Sequence, residues 1–126
     1  MKVYIFIDDE REEMFNKIAT KVGYKYIHCH SYETAIGCIE LYKDSQLILD
    51  FDHDLGLGKT GYDVAKYIIE NNITIEGFKI HSMNPVGVSN IRQLLTHYNR
   101  KEIILFLYKF IIKYICNKYW GGMWDD

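Results

Sequence analysis

At 126 residues the chain is long enough for about one domain with a core that needs no disulfide staples. Its 48% apolar and 25% charged residues exclude a disordered chain, and a net charge of −2 leaves no global basic field for duplex DNA. The three cysteines, Cys29, Cys38 and Cys116, are odd in number and lack metal-ligand spacing, so a reduced, cytoplasmic setting is expected. No secretory signal is read at Met1-Lys2, because the first apolar run is short and ends in acids.

Taken in order, Val3–Ile7 predicts strand 1, which ends in Asp8-Asp9. Glu10 to Val22 predicts helix 1, with acids in its first turn and Gly23 just past its end. Tyr26–His30 predicts strand 2, and Ser31 is a good N-cap for a helix over Tyr32–Tyr42. Leu47–Phe51 predicts strand 3, which runs straight into Asp52-His53-Asp54-Leu55-Gly56. Gly56, Gly58 and Gly61 mark an irregular loop before a helix over Tyr62–Asn71. Phe78–His81 predicts strand 4, Asn84-Pro85 starts a turn, and Val88–Tyr98 predicts helix 4.

This alternation predicts a single domain over residues 1–126. The expected fold is a three-layer α/β/α flavodoxin-like arrangement, mainly parallel, with strand order 2-1-3-4 and room for a fifth strand. The apolar segment 103–126 fits either a fifth strand followed by a helix or one long helix. Lys109, Lys113 and Lys118 interrupt it, whereas a membrane span needs ~20 mostly apolar residues, so no span is expected. If exposed, the segment predicts a homodimer.

In the flavodoxin-like order strand 1 lies beside strand 3, and strand 3 beside strand 4. Asp8 and Asp9, Asp52 to Asp54, and His81 and Ser82 then meet outside the carboxyl ends of the strands, where such folds bind ligands. Clustered carboxylates repel one another unless a cation joins them, and hard oxygen donors suit Mg²⁺, with Mn²⁺ as a second choice. His81 could act as general acid or base near neutral pH. Ser82, Asn84 and the amides near Gly87 could hold phosphoryl oxygens, and Arg11 could clamp a phosphate.

Asp8-Asp9, an Asp at the end of strand 3 and Ser82 after strand 4 resemble the phosphoacceptor receiver domains of two-component systems. In that alignment Asp52 takes the phosphoacceptor place, and Asp50 is the competing register. The Lys-Pro pair expected at the end of strand 5 has no clear equivalent. A closer resemblance is to the receiver-like family predicted to process cyclic phosphates. Its motifs are matched by Asp8-Asp9-Glu10-Arg11, by Asp52-His53-Asp54-Leu55-Gly56, and by His81-Ser82-Met83-Asn84-Pro85-Val86-Gly87. The resemblance covers roughly residues 3 to 98.

That resemblance implies a metal-dependent phosphoesterase acting on a cyclic phosphate, in a small molecule such as a cyclic nucleotide or at an RNA end. Asp8, Asp9 and Asp52 would hold the divalent ion, with Asp54 or His53 supporting a ligand from behind. His81, Asp52 and His53 would be the catalytic group, and Arg11, Ser82, Asn84 and Gly87 the substrate contacts. Two other readings stay open. One is a phosphorelay receiver that accepts phosphate on Asp52; the other is a non-catalytic module that binds a phosphorylated ligand.

Each residue also has a plainer explanation. Asp8-Asp9 could cap helix 1, Ser82 and Asn84 could cap helix 4, and Arg11 could be a solvated surface charge. His81 could be a satisfied structural histidine. His28 and His30 share a face of strand 2 by period two, but strand 2 is read as remote from the site. Gly58-Lys59-Thr60 imitates the end of a phosphate-binding P-loop, yet position 53 is His where that motif needs Gly. Lys59 could still reach a substrate from the loop.

Overall fold

The structure, a computed structural model, describes residues 1–10, 16–56 and 58–103. Its strands are β1 (Lys2–Ile7), β2 (Lys25–Cys29), β3 (Gln46–Phe51) and β4 (Gly77–Ile80). Its helices are α1 (Asn16–Lys21), α2 (Tyr32–Tyr42), α3 (Gly61–Glu70) and α4 (Pro85–His97). The strands are parallel and lie in the order β2-β1-β3-β4, as the alternation predicts. Crossover helices cover both faces, which is why β1 and β3 read as nearly unbroken apolar runs.

The register fixes what each face carries. Val3, Ile5 and Ile7 lie beside Leu47, Leu49 and Phe51 and pack against Ala35 and Ile39 of α2, Val64, Ala65 and Ile68 of α3, and Ile91 and Leu95 of α4. The alternate residues Tyr4 and Phe6 lie beside Ile48 and Asp50 on the other face. Tyr26 and His28 of β2 and Lys79 of β4 extend that row. Ala19 of α1, Tyr24 and Ile103 close over its apolar part.

Helix starts follow local side-chain chemistry. Ser31 and Thr34 form a reciprocal capping box on α2, and Thr60 and Asp63 form another on α3. Helix α4 begins at Pro85 instead of Val88. Asn84 accepts the Gly87 amide at 3.0 Å, and proline's preset φ suits the first helical turn, where its missing N–H costs nothing. The expected turn is therefore the helix cap itself. Glu10 lies outside the helix that was expected to begin there; residues 11–15 are outside the described part, and α1 ends at Lys21, one residue earlier than Val22.

Of the apolar C-terminal segment only its beginning is described. Lys101 accepts the Phe78 amide at 2.9 Å and Ile103 donates to Phe78 at 2.8 Å, a parallel bridge on the open side of β4. Both expectations for residues 104–126, and the dimer contact, lie outside the described residues. Among the described residues no helix is long and apolar enough to cross a membrane.

Candidate functional site

The parallel ladder continues one residue beyond each strand. Asp8 donates its amide to Cys29 at 3.1 Å, Asp52 donates to Ile7 at 2.9 Å, and His81 donates to Phe51 at 2.9 Å. These bonds seat Asp8, Asp52 and His81 side by side at the carboxyl edge of β1, β3 and β4. By period two they share the face of Tyr4, Phe6, Asp50 and Lys79. One donor atom from each of Asp8, Asp52 and His81 lies within 4.8 Å of the others.

His81 is the most constrained member. Its Nδ1 is 2.6 Å from Asp50 Oδ1 and its Nε2 is 2.9 Å from Asp8 Oδ2. An ionised carboxylate can only accept, so a nitrogen facing one donates. The Phe6 ring stacks on the imidazole with centroids 4.5 Å apart and planes 16° from parallel. Behind it, Tyr4 donates its hydroxyl to Asp50 Oδ2 at 2.5 Å, and Lys79 Nζ is 3.9 Å from Asp50 Oδ1. The second oxygen of Asp8 accepts the Glu10 amide at 2.8 Å.

Asp8 and Asp50 are fully buried and Asp52 nearly so. Burial and then the charge of Asp8 push the Asp52 carboxyl above its ordinary value, against the opposing pull of His81 and of hydrogen bonds from Ser82 and the His53 amide. Burying like charges together is costly unless a cation or a proton offsets them. Oxygens of Asp8 and Asp52 therefore suit a divalent ion, with the His81 ring nitrogen as the third member of the cluster, held beside them by Asp8.

The other expected residues form a second group beside this edge. His53 Nδ1 is 3.0 Å from Asp54 Oδ1 and 3.3 Å from Asn84 Nδ2, with its ring lodged against Gly87. Asp54 is exposed and turned to His53, so it is not one of the three residues whose donor atoms converge. Asp9 is half-buried near Gly56 and is likewise apart from that trio. Ser82 bonds Asp52 and accepts the Asn84 amide at 3.1 Å. The Gly87 amide is taken by the Asn84 cap, which leaves Gly87 a spacing role beside His53. Arg11 lies outside the described residues.

The structure revises the places of Asp50 and His28 and adds Tyr4, which the sequence does not single out. Asp50 and Asp52 both face the site, because β3 stays regular to its end, so they are partners instead of competing registers. Tyr4 looks like any buried strand aromatic until β3 places Asp50 beside it. Strand β2 is not remote: His28 Nε2 is 2.9 Å from the backbone oxygen of Asp8, and its ring stacks on His30 at 3.9 Å.

The family model of the cyclic-phosphate processing receiver domain matches residues 3–97. The chain belongs to that family. The match takes in Asp8, Asp50, Asp52, His53, His81 and Asn84, so the whole edge lies within the family domain. A search of curated proteins finds no match. Among solved structures, a CheY-like response regulator receiver domain protein from Methanospirillum hungatei JF-1 is similar at 15% identity. The likeness covers 76% of this chain and 93% of that one, with a TM-score of 0.48.

Proposed function

We propose that this cyclic-phosphate processing receiver domain is a metal-dependent phosphoesterase that opens a cyclic phosphate in a nucleotide or at an RNA end. One observation carries the reading: donor atoms of Asp8, Asp52 and His81 converge within 4.8 Å at the carboxyl edge of the sheet. Asp8 and Asp52 would hold Mg²⁺ or Mn²⁺. When bound, such an ion offsets phosphate charge and acidifies a water.

The chain's own residues then have defined tasks. Asp8 and Asp52 present their oxygens together, and Ser82, hydrogen-bonded to Asp52, would offer its hydroxyl to a phosphoryl oxygen. As the water oxygen bonds to phosphorus, one ring P–O bond breaks and His81 Nε2 gives a proton to the departing oxygen; the proton shed by the water passes to solvent, from which His81 is reprotonated, leaving a phosphomonoester. Asn84 holds His53 at the mouth of the site.

The test is hydrolysis of 2′,3′-cyclic nucleotides, 3′,5′-cyclic nucleotides and an RNA ending in a cyclic phosphate, with and without Mg²⁺ or Mn²⁺. Metal-dependent turnover that falls by about 10²–10⁴ in His81→Ala supports the reading. No turnover by folded protein rejects it. Labelling of Asp52 by acetyl phosphate would then identify a phosphorelay receiver, and its absence a phospholigand-binding module.

A further inference from the structure

We infer that Asp50, braced by the Tyr4 hydroxyl, is a positioning residue that holds His81 through Nδ1 and aims Nε2 at Asp8 and Asp52. This deepens the proposed reaction and rests on His81 being its acid–base group. Asp50 has no exposed surface, and burying a carboxylate is costly unless each oxygen is satisfied. Here the satisfaction is specific. One oxygen takes the Tyr4 hydroxyl at 2.5 Å and the other the His81 ring at 2.6 Å. Lys79, at 3.9 Å, stands beyond hydrogen-bond distance of that second oxygen.

Three restraints then define the imidazole. The backbone bond to Phe51 fixes its root, stacking on Phe6 fixes its plane, and Asp50 fixes its rotation within that plane. Turning the ring over would put carbon atoms where both nitrogens now meet carboxylates, so both bonds would be lost. An acid–base histidine needs this determination, because which nitrogen faces the reacting atoms is set by the bond the other nitrogen makes.

Two measurements test the inference. In protein labelled with ¹⁵N-histidine, the His81 signals are assigned by their loss in His81→Gln. A His81 Nδ1–H resonance protected from exchange is expected, lost in Asp50→Leu and displaced in Tyr4→Phe. Its absence from the native protein, or its persistence unchanged in Asp50→Leu, overturns the inference. Should Asp50→Leu fail to fold, Asp50→Asn decides: a retained but upfield-shifted resonance supports the role, and an unshifted one overturns it.

The second measurement is kinetic, on 2′,3′-cyclic nucleotide with Mn²⁺. Asp50→Asn and Tyr4→Phe should lower kcat by about 10- to 100-fold with KM changed less than about twofold. A change confined to KM overturns the inference. If the native protein turns over no cyclic phosphate, the proposed reaction fails, while the resonance of His81 still decides the positioning.

Discussion

Asp50 and Asp52 are two residues apart, and their different surroundings give them different work. Asp50 is enclosed by Tyr4, His81 and Lys79, whereas Asp52 sits at the rim, raised above its ordinary value by burial and by Asp8. The glycines make an equally sharp contrast. A Cβ at Gly61 would run into the Asp52 carbonyl, and one at Gly87 into the His53 ring, while at Gly37 it would meet nothing within 4 Å. All three lie in helices, where Ala is ordinarily better than Gly. We expect Gly37→Ala to stabilise the fold by about 0.5–1 kcal/mol. Gly61→Ala and Gly87→Ala should destabilise it by about 1–3 kcal/mol through overpacking. Urea unfolding checks all three, and destabilisation in Gly37→Ala would contradict the assignment. Gly87→Ala should also lower turnover, because the His53 ring must move.

Among the elements, the connection from β3 to α3 is closed by its own caps. Gly61 donates to the His53 carbonyl at 2.7 Å, Asp54 bridges Thr60, and Thr60 shares its capping box with Asp63. Removing the Thr60 hydroxyl in Thr60→Ala should cost about 1 kcal/mol, with Thr60→Ser close to native, as read by urea midpoints. Asn84 joins two functions that can be separated. Its Oδ1 caps α4 and its Nδ2 meets His53. Asn84→Ser keeps a capping oxygen and loses the reach to His53, so near-native stability with reduced turnover is expected. Native stability and native turnover in Asn84→Ser, with losses only in Asn84→Ala, would assign the residue to the cap alone.

At the scale of the whole molecule, the sheet order turns three distant sequence positions into one edge. The face that carries this edge is rich in aromatic hydroxyls, and two of them respond to pH. Burial, then the Glu76 carboxylate, pushes the Tyr24 hydroxyl up to about 12, and burial with Asp50 pushes Tyr4 higher still. A phenol raised on folding contributes stability that is complete below the unfolded value near 10. That stability is lost as pH rises through the folded value. Stability should therefore fall from pH 10 upward, and Tyr24→Phe should flatten the decline between about pH 10 and 12. Urea midpoints at pH 9 and about pH 11.5 make the comparison. An equal decline in native protein and variant would remove Tyr24 from that loss.

The sequence by itself determined the alternation of strands and helices, the parallel order of the sheet and the family motifs. These rest on local chemistry: apolar runs buried on both faces, Ser31 as a cap, and acids placed directly after strands. It also placed Asp8, Asp52 and His81 at one edge, because period and strand order suffice to predict neighbouring ends. Only the tertiary structure decided how those residues divide. Asp54 turns to His53, Asn84 caps α4, and Asp50 joins Asp52 on the same face. The Tyr4–Asp50–His81–Asp8 chain links residues of β1 and β3 with those just beyond β1 and β4. Such contacts leave no spacing signature in sequence, because the register between strands sets them.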